Sequence, residues 1–183
     1  MALFLMGLCC GCTNYAAKYS KNTLIVKKNG SLIEVAVEDF KDTKVKAEDL
    51  TTYIDEQIHT YNSENGNGMV KKKKLLTEDM SKVKLVLKYK NIDSYNGFNS
   101  YDCVLTDYSS ADGDYLSGDF TGSDGKTVKK AKFKNVDDAK VLVISDAMDV
   151  VIDSDILYYN NQVKVKNGVI TTNGKKAAVI IYK

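Results

Sequence analysis

Thr23-Leu24-Ile25-Val26-Lys27-Lys28-Asn29-Gly30-Ser31-Leu32-Ile33-Glu34-Val35-Ala36-Val37 reads as a β-hairpin. Two runs rich in β-branched and aliphatic residues flank Asn29-Gly30, and Asn-Gly supplies the positive φ angles of a tight turn between antiparallel strands. Downstream the hydrophobic period changes: Leu50, Tyr53, Ile54, Gln57, Ile58 and Tyr61 fall on one face of a helix spanning 46–64, which Asn62 to Gly68 then closes. A second hairpin follows in Val70 to Leu76 and Lys82 to Lys90, turned by Thr77 to Ser81. Its return strand alternates, with Val83, Leu85, Leu87 and Tyr89 inward and Lys82, Lys84, Lys88 and Lys90 outward, Val86 sharing the lysine side.

Asn91 to Tyr101 reads as helical, Val104-Leu105 as a short strand, and Thr127 to Phe133 as a strand after the turn Ser123-Asp124-Gly125. The final third is a series of short strands from Val141 to Tyr182, separated by Asp-Ser-Asp, Asn-Asn and Asn-Gly turns, a spacing that predicts a meander or small β-layer. The expectation is an α+β fold: antiparallel β-hairpins with one main amphipathic helix, followed by a β-rich meander. With no solenoid repeat and no low-complexity linker, residues 23–183 form one domain, any subdivision falling near 135–138.

Upstream, Ala2-Leu3-Phe4-Leu5-Met6-Gly7-Leu8 is an uncharged apolar run that meets Cys9-Cys10-Gly11-Cys12, and the first charge is Lys18. A hydrophobic run ending in small residues before a cysteine is a lipoprotein signal. Residues 1–11 are read as such a signal peptide, truncated at its start because no basic residue precedes the run. Cys12, with Gly11 before it, is the lipidation site; the expected aliphatic residue three positions upstream is Cys9, which leaves Cys9 or Cys10 open. Residues 12–22 are polar and are read as a tether. The apolar run falls short of the roughly 20 residues a transmembrane helix needs. Processing before Cys12 leaves Cys103 as the one thiol, so no disulfide framework forms.

The composition excludes several function classes. All 26 basic residues are lysines and there is no Trp, Pro or Arg. Bidentate recognition of phosphate is largely an arginine property, so specific nucleic-acid readout loses its usual tools. Charge is nearly balanced overall but unevenly placed: residues 30–68 carry nine acids and three lysines, residues 69–90 eight lysines and two acids. The Lys71-Lys72-Lys73-Lys74 run is the candidate contact for an anionic partner.

Catalytic and metal readings find little to use. His59, the single histidine, sits on the predicted helix four residues after Asp55, where it reads as an exposed helix residue. Cys103 lies among apolar neighbours without a nearby base, which reads as a core residue. A His/Cys zinc site lacks ligands. The polar stretch Thr106 to Asp124 is the place for a functional loop. Its Asp112, Asp114 and Asp119 are calcium candidates, although Leu116 stands at a ligand position and no Glu closes the loop. Tyr89, Tyr95, Tyr101, Tyr108 and Tyr115 could stack on sugar rings or pack a half-buried strand. No catalytic residues and no cofactor are expected.

The Cys12-Thr13-Asn14 start, the segment Lys21 to Gly30, the helix and the lysine-rich second hairpin together resemble small uncharacterised lipoproteins of Gram-positive anaerobic bacteria, over most of the chain. The resemblance implies a surface-anchored protein without known activity. The expected function is a non-enzymatic module lipid-anchored at the outer face of the cell membrane, binding an envelope polymer or a protein partner and no nucleic acid. The alternatives are a cell-envelope hydrolase using the carboxylates of Asp107 to Asp124, or a structural spacer domain.

Overall fold

A computed structural model describes residues 14–39, 44–78 and 81–183. The signal-peptide reading, Cys9, Cys10 and Cys12, and the tip of the second turn at Asp79 and Met80 lie outside them. In chain order the elements are α1 (Tyr15–Lys18), β1 (Thr23–Val26), β2 (Leu32–Asp39), α2 (Ala47–Asn65), β3 (Val70–Glu78), β4 (Lys82–Tyr89), α3 (Ile92–Asn99), β5 (Val104–Asp107), β6 (Phe120–Gly122), β7 (Thr127–Val128), β8 (Lys140–Ile144), β9 (Asp149–Ile152), β10 (Ile156–Asn160), β11 (Val163–Lys166), β12 (Val169–Thr172) and β13 (Ala178–Tyr182). The fold is α+β with a β-rich final third.

The strands form two sheets. Sheet A runs β11-β12-β9-β1-β2-β4-β3 and sheet B runs β5-β8-β13-β10-β6-β7. Both expected hairpins are present, β1 against β2 and β3 against β4. The strands of the final third do not all pair in succession: β9, β11 and β12 extend sheet A, whereas β8, β10 and β13 build sheet B. One pairing escapes local pattern altogether. β9 lies parallel to β1, Leu24 opposite Val150 and Val26 opposite Ile152. A parallel ladder needs a long crossover, and here the crossover is most of the chain.

Alternation along the strands sorts the apolar residues into three clusters. Leu24, Val26, Leu32, Leu87, Tyr89, Val150 and Ile170 of sheet A meet Leu142, Ile144, Ala178 and Ile180 of sheet B in the main core. The outward faces are covered as well. Val141, Val143, Val179 and Ile181 pack beneath Leu116, Phe120 and Phe133 of the segment between β5 and β8. Ile25, Ile33, Val35 and Val86 pack beneath Ala16 of α1. This explains why β1 and β13 are buried at every position and read as continuous apolar runs.

Three local expectations are corrected. Part of the polar stretch 12–22 is folded: Asn14 caps α1, Ala16 is 1% exposed, and Lys84 Nζ donates to the carbonyls of Ala16 at 3.0 Å and Tyr19 at 3.3 Å. A lysine on the outward side of β4 thus closes the C-terminal end of a helix, where a cation suits the unpaired carbonyls. Val86, the apolar residue on that side, is buried by the same helix. On α2, Ile54 is buried and Ile58 and Tyr61 pack against the core, but Tyr53 is 59% exposed and Gln57 is exposed too. The seated stripe is i, i+4, i+7, so Tyr53 and Gln57 fall outside it. Lastly, the strand expected over Thr127 to Phe133 stops at Val128 and gives way to a 3₁₀ turn at Lys130–Lys132. The turn carries Phe133 back onto Tyr158, where the two rings stack at 4.4 Å.

Candidate functional site: a lysine cleft on sheet A

The lysine run on β3 is divided by a β-bulge. Lys71 stands opposite Lys88 and Lys72 opposite Leu87, and the register shifts before Lys74 meets Val86. Opposed residues share a face, so Lys71 and Lys74 lie on the outward side with Lys88, while Lys72 turns inward towards α2. Its ammonium meets the Asp55 carboxylate at 2.5 Å. The inserted residue, Lys73, is turned to the outward side, the kind of re-aiming that bulges provide.

Lys71, Lys73, Lys88 and Lys90 line one cleft of about 430 Å³, completed by Asn29, Ser31, Asn67 and Gly68. Among the described residues no carboxylate lines it. Both rims are held in place: Asn29 Oδ1 accepts from the Ser31 amide at 3.1 Å and hydroxyl at 2.8 Å, and Asn62 clamps Val70 through its amide and carbonyl at 2.9 and 2.8 Å. Gly68 has φ +76°, and a Cβ there would stand 3.0 Å from Lys71 Cε. Glycine therefore serves both the turn and the path of the Lys71 side chain. Placing Lys71 directly against Lys88 costs stability, on the order of 0.2–1 kcal/mol for such a like-charge pair. An anion between them removes that repulsion.

A second cleft of about 260 Å³ shares Asn29, Ser31 and Lys88 with the first and adds Lys27, Lys28, Ile33 and Asp153. Asp153 accepts from Lys27 at 2.6 Å. That bond holds the Lys27 ammonium above its usual pKa and the Asp153 carboxyl below its own. The combined groove offers ammonium donors without the planar fork of arginine, so it suits diffuse negative charge more than one fixed anion.

The remaining sequence candidates are dispersed. Asp112 accepts the backbone amide of Asp114 at 3.0 Å, and Asp119 pairs with Lys129 at 2.5 Å. Among the described residues no three His, Cys, Asp or Glu side chains come together as a metal-binding group. The loop that holds these aspartates is anchored by Leu116 and Phe120, each 1% exposed, and acts as the cover of sheet B. His59 is exposed on α2. Cys103 is buried, and burial pushes its thiol up to about 12. Tyr89 and Tyr95 are wholly inside, their rings edge-to-face at 5.1 Å, and are not offered for stacking.

No protein family, curated protein or solved structure matches the chain.

The sequence reading did not single out Lys27, Lys28, Lys88 and Lys90 as partners of the β3 run, because strand pairing alone joins them. It also passed over Glu34. On β2, Glu34 sits opposite Leu24 and Leu87, on the side that faces the main core. Tyr89 donates its hydroxyl to Glu34 Oε2 at 2.5 Å, and Asn99 Nδ2 reaches both, the tyrosine oxygen at 3.0 Å and the carboxylate at 3.4 Å. Burial raises the Glu34 carboxyl above its usual range and these two donors pull it back. The signal in the sequence is an acid at an inward position in the apolar first half of β2, between Ile33 and Val35.

Proposed function

We propose that the protein is a non-enzymatic, lipid-anchored binding module at the outer face of the cell membrane, Cys12 carrying the lipid and the lysine cleft taking an anionic partner. The observation that carries the binding half is the grouping of Lys71, Lys73, Lys88 and Lys90 around one cleft that no acid among the described residues lines. Four ammonium groups that close together repel one another, and the fold retains them with a bulge and a glycine. What supports binding over hydrolysis is where the loop carboxylates go. Asp107 pairs with Lys140 at 2.8 Å, Asp119 with Lys129, and neither lines the clefts described above.

The anchor half rests on the apolar run and Cys12. Two acyl chains hold a protein stably at a bilayer, each buried methylene contributing about 0.8 kcal/mol. Cys12→Ala should move the protein from the membrane to the soluble fraction; unchanged detergent partitioning would defeat the assignment. Lys71→Ala with Lys73→Ala should weaken binding to an anionic polymer such as polyphosphate, and the affinity of the parent protein should fall as salt rises. An affinity indifferent to salt counts against the cleft.

A further inference from the structure

The four cleft lysines are part of a larger pattern. On the outward side of sheet A, Lys74 stands level with Val86, and Lys84 reaches α1 from the same face of β4. At the far end of the sheet Lys164 lies opposite Thr171, whose hydroxyl donates to Asp149 on the same side at 2.7 Å; Lys166 follows two residues on. Strands from both halves of the chain therefore deliver lysines to one face. Of the carboxylates described on that face, Asp149 accepts from Thr171 and Asp153 from Lys27, and Asp39 stands opposite Lys82 in register. The opposite side of the molecule differs. The segment covering sheet B, residues 106–138, holds seven aspartates and five lysines.

The same cationic face carries the start of the described chain. α1 lies on it through Ala16, with Tyr15 and Tyr19 beside the buried methyl. Asn14 is two residues from Cys12, and two residues extend at most about 7 Å. A lipid on Cys12 would therefore tether the α1-bearing side of sheet A close to the bilayer, where attraction to surface charge acts over about a Debye length, about 10 Å at 0.1 M salt. Tyrosines flanking the attachment point suit the headgroup region.

We propose that the outward face of sheet A is a docking surface for an anionic phospholipid leaflet, with the lysine cleft taking headgroup phosphates. This rests on the lipid-anchor reading above and adds to it an orientation: sheet A towards the membrane, the aspartate-bearing cover of sheet B towards the outside. Lysines near an anionic surface act additively, about 1 kcal/mol each, so the whole face contributes and not the cleft alone.

The test uses the full chain with Cys12→Ser, which removes the lipid and leaves the face intact, in co-sedimentation with vesicles of phosphatidylcholine with or without phosphatidylglycerol. Binding should require phosphatidylglycerol and fade as salt is raised. Lys71→Glu/Lys73→Glu in the cleft and Lys164→Glu/Lys166→Glu on β11 should each weaken it roughly tenfold or more, whereas Lys130→Glu/Lys132→Glu on the cover should leave it unchanged. Unfolding midpoints of the three variants check that each is folded. Absence of vesicle binding, or binding indifferent to Lys164 and Lys166, overturns the docking surface; equal weakening by all three pairs overturns it too. If polyphosphate is still bound through Lys71 and Lys73 in those cases, the cleft stands as a polymer site and only the membrane orientation falls.

Discussion

Glu34 is one point at which pH reaches the fold. Its carboxyl faces the main core with Tyr89 and Asn99 as donors, and burial makes the folded protein hold that proton more tightly than the unfolded chain does. A raised carboxyl pKa contributes stability that is present at low pH and lost as pH climbs through the folded value. Glu34→Gln, which keeps an acceptor for Tyr89, should therefore flatten the fall in the urea midpoint above the usual carboxylate range; an unchanged slope would assign the pH dependence elsewhere. Tyr89→Phe removes the shorter of the two bonds and leaves the carboxylate short of a donor, a loss of about 1–3 kcal/mol. Cys103 is the complementary case, a thiol pushed up to about 12 by burial. Its thiol should react with a thiol reagent at the rate of unfolding and not before.

At the scale of elements, the informative cases are those whose partners lie far along the chain. α1 is four residues long and would not persist alone. It is held by the burial of Ala16 and by Lys84 across 65 and 68 positions of sequence. Lys84→Met, which keeps the stem and removes the donor, should cost about 1 kcal/mol, read as a lower thermal midpoint. The cover of sheet B depends on Leu116 in the same way. Leu116→Ala should cost about 2–5 kcal/mol, whereas removing Asp119, whose partner Lys129 is well exposed, should stay within about 1 kcal/mol. A difference in that direction would show that the aspartate-rich segment is held by its apolar residues and not by its charges.

For the whole molecule the decisive contact is β1 beside β9. It closes sheet A between residues more than a hundred positions apart, and the main core draws on both sheets. The region 135–138 joins β7 to β8, but the apolar interior runs continuously past it. Residues 14–134 and 139–183 made as separate chains should each lack cooperative unfolding, while the intact chain should unfold in a single transition by both fluorescence and circular dichroism. Two separate transitions in the intact chain would divide it at that point.

Local chemistry settled a large share of this. The turn between β1 and β2 is legible locally, although Gly30 alone takes a positive φ, +80°, while Asn29 acts through its side chain, which accepts from Ser31. The helical period over 46–64 likewise announces α2, and the alternation in Lys82 to Tyr89 announces a strand with lysines on one side. Residue types alone also removed arginine-dependent recognition from consideration. What they could not convey was company. The neighbours of Lys71, the inward position of Glu34 beside Tyr89 and Asn99, the use of Lys84 as a helix cap and the parallel ladder from β1 to β9 all arise from registers set when distant strands meet. Those registers are selected by the burial of both faces of each sheet, a collective requirement to which every strand contributes and which no segment expresses by itself.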